Sequence, residues 1–205
     1  MGVTIYYRGT IDDTKMVEKL TDEMEDFAQS LGWKTKRWEE DWSKPNTARF
    51  SNSKRQFRIL GHAPLRGITL YPHQHCESFC LTFDPDGSLV DIAGMAMRAE
   101  KGEKRGESGS STKTQFAPIE THITIVKLLQ FVKRRYVTNL EVYDDGGYWE
   151  TGDVYELERR IGSINRAMDI LESALAGNNS RLAAAKSPEE LAEAIERIIR
   201  DRFGR

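Results

Sequence analysis

The sequence predicts an α+β fold. We expect an antiparallel-rich sheet of about five to seven strands, mixed if a terminal strand inserts in parallel. Two long helices pack on one face, and a helical hairpin ends the chain. Three observations predict it. Short apolar–polar alternations separated by turn signals cluster between residues 55 and 93. Stretches with helical apolar spacing lie outside that cluster, over residues 14–31, 118–135 and 154–175. The last fifty residues read as helix except for a break at Gly177-Asn178-Asn179. Strands segregated from long helices favour α+β over a doubly wound sheet.

Residues 3–8 are rich in β-branched and aromatic side chains and read as the first strand. Asp12, Asp13 and Thr14 supply helix-capping chemistry, and Met16, Leu20, Met24, Phe27 and Leu31 form one apolar stripe before Gly32 stops the helix. Trp33, Trp38 and Trp42 follow within ten residues, and we expect them to cover one edge of the core. Residues 43–54 read as a loop, 57–60 and 67–71 as strands. From Glu77 the alternation Phe79, Leu81, Phe83 marks a further strand. Asp84-Pro85-Asp86-Gly87 is a strong turn, so residues 88–92 read as the return strand of a hairpin.

Residues 99–115 hold no large apolar side chain and read as a mobile loop. Ile119, Ile123, Val126, Leu129 and Val132 form the stripe of the second long helix, with Lys133, Arg134 and Arg135 at its C-terminal turn. Residues 137–143 read as a strand, and Asp144-Asp145-Gly146-Gly147 as a hairpin turn returning through residues 148–151. Asp153 and Glu156 cap a third helix. Its apolar positions Val154, Leu157, Ile161, Ile164, Met168, Leu171 and Leu175 alternate by three and four. Ser187-Pro188-Glu189-Glu190 opens a last helix. We therefore expect an α+β domain over residues 1–152 and a helical pair over 153–205, packed on that domain.

With 30 basic and 32 acidic residues the formal charge is −2, which gives no global pull toward nucleic acid. No apolar run reaches the roughly 20 residues of a membrane span. Two unpaired cysteines fit a reduced cytoplasmic protein.

The chemistry is concentrated in one stretch. Residues 71–83 carry His73, His75, Cys76, Glu77 and Cys80, and the other two histidines are His62 and His122. Extending the alternation backward places His73, His75 and Glu77 on one face, with residues two apart separated by ~7 Å. Two imidazoles at that spacing suit a divalent transition metal, zinc above all. His122 completes the site, with His62 in reserve. Glu77 or Glu120 would be a further ligand or the base acting on metal-bound water, as in a metal-dependent hydrolase. The alternative is a non-enzymatic interaction module in which the histidines are structural. It would bind a protein, or form a homodimer through the 154–175 helix. A third reading makes Cys76 a nucleophile, with Cys80 a plain core residue. The partner in these readings is an unknown small molecule or protein.

Overall fold

The computed structural model describes residues 2–51, 58–103 and 108–176, together with residues 190, 193, 194 and 197. The chain divides into two compact units, Gly2–Leu157 and the part from Glu158 onward. The first is an α+β unit with antiparallel sheets. Its elements are β1 (Thr4–Arg8), α1 (Val17–Ser30), β2 (Lys34–Glu39), β3 (Arg49–Phe50), β4 (Ile59–Leu60), β5 (Arg66–Tyr71) and β6 (Phe79–Phe83). There follow α2 (Ile92–Lys101), β7 (Ser110–Lys113), α3 (Ile119–Arg135), β8 (Glu141–Asp144) and the short α4 (Tyr148–Thr151). Helix α5 (Val154–Ala176) begins at its end, with Leu157 fully buried and Val154 exposed. Most of the predicted last helix lies outside the described residues. No helix among the described residues is long and apolar enough to cross a membrane.

The strands do not form one sheet of five to seven. They form two three-stranded sheets, ordered β7-β1-β8 and β2-β5-β6, plus the β3–β4 pair. The reason lies where β6 passes β7. One backbone bond, Glu77 N–H to the Lys113 carbonyl (3.0 Å), starts a ladder there. Side chains then replace the rungs. Glu77 Oε2 accepts from Lys113 N (3.0 Å), the Thr112 hydroxyl donates to the Ser78 carbonyl (3.1 Å), and the Tyr7 hydroxyl accepts from Cys80 N (3.0 Å). The Ser78 carbonyl and the Cys80 amide are thus satisfied without a strand partner, so the ladder ends.

The main core gathers Ile5 and Tyr7 from β1, Leu20 and Met24 from α1, Ile68 and Leu70 from β5, Phe79, Leu81 and Phe83 from β6, and Ile125, Leu129 and Val132 from α3. Central strand β5 is buried on both faces. Its Gly67 (φ 129°) is required, because a Cβ would run into the Leu81 carbonyl. A smaller cluster of Ala48, Ala63, Leu65, Val90, Met95 and Ala96 forms under α2.

Four expectations are corrected. Residues 88–92 are no return strand. Ser88, Leu89 and Val90 make single bridges to Thr10, Phe83 and Gly109, and α2 begins at Ile92, capped by the Asp91 side chain accepting from Gly94 N (2.8 Å). The loop expected over 99–115 is shorter, because α2 runs to Lys101 and β7 starts at Ser110. Residues 148–151 turn as helix α4 instead of returning as a strand. Residues 43–54 are not all loop, because Arg49–Phe50 forms β3, whereas Trp33 and Trp42 pack against the main core and Trp38, on edge strand β2 with its indole donating to the Thr69 hydroxyl (3.0 Å), packs against the smaller cluster.

Candidate functional site

The hairpin loop between β5 and β6, residues 72–78, breaks the alternation on which the metal site was built. Pro72 is buried, Gln74 and His75 turn, and extended geometry resumes only at Phe79. His73 and His75 nevertheless stay together. His75 N–H donates to His73 Nδ1 (3.1 Å), and the ring centroids are 5.5 Å apart. Glu77 is drawn away to Lys113. Glu120 is exposed in the first turn of α3. His62 sits against the Pro45 carbonyl (3.1 Å) and Glu40 (3.6 Å).

His122 is fully buried, and both of its nitrogens are engaged. Nδ1 meets the Thr114 hydroxyl (2.8 Å) and Nε2 meets Asp144 Oδ2 (3.1 Å). Asp144 also accepts from Gly146 N (2.7 Å) and Trp149 N (3.0 Å). Burial alone would raise the Asp144 carboxyl. The hydrogen bond and charge of His122, with the two backbone donors, outweigh that and hold it below the usual carboxylate range. A Cβ at Gly146 would strike His122 Cε1 and Leu157, so glycine permits this close approach. The cluster ties β7, α3, β8 and α4 together. Among the described residues no group of three or more His, Cys, Asp or Glu is placed to hold a metal ion.

The cysteines face different surroundings. Cys76 packs against the main core, and burial, with Glu77 adjacent, pushes its thiol up to about 12. An activated nucleophile requires the opposite shift. Cys80 belongs to a polar seam that sequence reasoning missed. Its sulfur lies 3.6 Å from the Thr69 hydroxyl and 3.7 Å from that of Ser78. Ser110, beside it, donates to Asp91 (3.3 Å). Burial raises this thiol too, against hydrogen bonds from Thr69, Ser78 and Ser110. Burial and the adjoining thiol hold the Tyr7 phenol well above its ordinary value. The signal was present in the parity of Ser78, Cys80 and Thr82, a polar row on a strand whose other face is core. The seam's hydroxyls are spent on the Cys80 thiol, on the Asp91 carboxylate and on backbone groups, which suits joining two sheets.

Three clefts lined by described residues of this unit bear on where a site could lie. One, of about 460 Å³, has Arg37 in its wall, but Asp22, Glu25 and Glu39 already bind that guanidinium. A second, of about 410 Å³, has the Arg98–Asp84 pair at its base, 2.7 Å apart and less than a tenth exposed. The third, of about 390 Å³, lies between α1 and α3 and is lined by Glu23, Asp26, Phe27, Ser30, Phe131 and Arg135. Phe27 and Phe131 meet edge-to-face with centroids 5.4 Å apart. Arg135 reaches Glu23 Oε1 (3.3 Å) and lies 5.2 Å from the Phe131 centroid. Phe27 is 39% exposed and Leu31, one turn on, 46%.

Comparison with known proteins finds no matching family model, no matching curated protein and no matching solved structure.

Proposed function

We propose that this chain is a non-enzymatic interaction module that binds a partner protein through the groove between α1 and α3. One observation carries the reading. Phe27 and Leu31 complete the apolar stripe of α1, yet they stand outside the core, exposed beside half-buried Phe131. With 39% of Phe27 still in water, roughly 1 kcal/mol of burial is forgone. Aromatic side chains grouped at the mouth of a groove are the usual anchors of protein interfaces. The structural employment of His122 and Glu77 supports the same reading. Selection from a phage-displayed random peptide library tests it. Peptides should enrich on the wild-type protein and fail to bind Phe27→Asp that circular dichroism shows to be folded. Equal enrichment on both, or none on either, would remove the reading.

A second reading keeps a divalent transition metal at His73 and His75. It is favoured by their neighbouring rings on an exposed loop. Two imidazoles leave coordination positions for water or for a ligand from another molecule. Elemental mass spectrometry tests it on tag-free wild type and on the His73→Ala/His75→Ala variant, both after incubation with zinc. About one equivalent lost in the variant would support it, and equal content would sink it.

A further inference from the structure

The segment that follows β2 is strapped to the connection between β4 and β5, and His62 lies on that strap. Its N–H donates to the Thr47 hydroxyl (2.9 Å), and its carbonyl accepts from Thr47 N (2.8 Å). Glu40, just past the end of β2, is fixed in the same way. Its N–H donates to the Leu65 carbonyl (3.1 Å), and its carbonyl accepts from Arg66 Nε (3.1 Å). Backbone bonds therefore hold two side chains from separate segments opposite one another.

The tautomer of the ring follows from its partners. His62 Nδ1 lies 3.1 Å from the Pro45 carbonyl, and a carbonyl only accepts, so Nδ1 carries the proton. The neutral ring then has a bare lone pair on Nε2. That atom is buried and has no hydrogen-bond partner among the described residues. It faces Glu40 Oε2 at 3.6 Å, beyond the length of a hydrogen bond. A lone pair opposite a carboxylate oxygen is repulsive unless a cation lies between them. Zinc sits about 2.0–2.2 Å from histidine nitrogen and carboxylate oxygen, which puts two such donors ~3.4 Å apart at the tetrahedral angle. The gap is too long for a shared proton and close to that of two zinc ligands. A bond from the second ring nitrogen to a backbone carbonyl is also the support that metal-bound histidines carry. The Glu40 side chain is 48% exposed, so the pair is open to solvent. From this we infer that His62 Nε2 and Glu40 Oε2 together bind a divalent transition metal, zinc by donor type, with water in its remaining positions. The site shares no residue with the His73–His75 loop or with the α1–α3 groove.

The test is a zinc titration of the chelator-dialysed full chain carrying His73→Ala and His75→Ala, so that the exposed histidine pair contributes nothing. Long-range proton–nitrogen correlation spectra follow the two remaining imidazoles. His62 Nε2 should shift saturably while Nδ1 keeps its proton, and the His122 ring should stay in place. Glu40→Gln, an isosteric change at a half-exposed side chain, should weaken zinc binding at least ~10-fold in calorimetry. Circular dichroism checks that this variant folds, and the ring-nitrogen readout stands without it. An unmoved His62 Nε2, or equal affinity in folded Glu40→Gln, would overturn the inference. So would a His62 ring that answers to pH and not to zinc, which would make the pair a proton latch alone.

Discussion

Tyr7 shows how a single hydroxyl can stand in for a strand. It accepts the Cys80 amide that a continuous ladder would have paired, and it contacts the Thr112 hydroxyl at 3.3 Å. Tyr7→Phe leaves that amide without its acceptor. It should cost about 1–3 kcal/mol in urea denaturation and speed exchange of the Cys80 amide more than that of its β5-paired neighbours. Asp144 predicts an acid response. Its carboxyl is held low in the folded chain, so its ionised form contributes stability above the unfolded range near pH ~4. That contribution disappears as pH falls through the lower folded value. Asp144→Asn should lose about 2–4 kcal/mol at neutral pH, and its urea midpoint should fall less than that of wild type on acidification. A midpoint that falls equally in both proteins would mean the pair is not the acid-sensitive element. Cys76, with its thiol near 12, should carry roughly a thousandth of the thiolate of an ordinary cysteine at pH 7. Iodoacetamide labelling of the folded protein should therefore be slow at this position and become rapid on denaturation.

Individual elements were legible where their own residues decide them. The Asp13-capped turn over Thr14–Met16 that leads into α1, the Gly32 stop, the β5 and β6 strands and the Asp84–Gly87 turn follow from local pattern. Helix α2 was not legible. Its buried face includes Arg98, which reads as surface until its partner Asp84 is known, and that partner sits in a turn fourteen residues earlier. The same Asp84 accepts from Asp86 N (3.0 Å) and Ser88 N (2.9 Å), so one carboxylate folds the turn and docks the helix. Arg98→Ala should cost about 3–5 kcal/mol, because it leaves Asp84 buried and uncompensated. The paired change Arg98→Met with Asp84→Asn should recover part of that loss. Strand β2 was hidden by its charges. Lys34, Lys36, Arg37 and Glu39 suit an edge strand, where charge discourages further pairing. The metal proposal failed to extend to His122 for a related reason. Strand parity was carried back through residues that form a turn, and the true neighbours of His122 are Thr114 and Asp144.

On the scale of the molecule, the α+β class was readable from segregation of elements, and the division into two sheets was not. Sheet continuity depends on whether β6 and β7 exchange backbone bonds, and that is decided by Tyr7 and Thr112, far apart in sequence from Ser78 and Cys80. The candidate site was half legible. Phe27 and Leu31 were visible as a stripe, but their exposure depends on how far α3 covers α1. The central claim is that the α1–α3 groove binds a partner and that the histidine loop does not. One isothermal titration tests it most directly, with a library-selected peptide added to protein dialysed against chelator and to protein supplied with zinc. The account predicts the same affinity in both, unchanged in His73→Ala/His75→Ala and at least ~10-fold weaker in Phe27→Ser. Binding that requires zinc and vanishes with the two histidines, while Phe27→Ser binds normally, would contradict it.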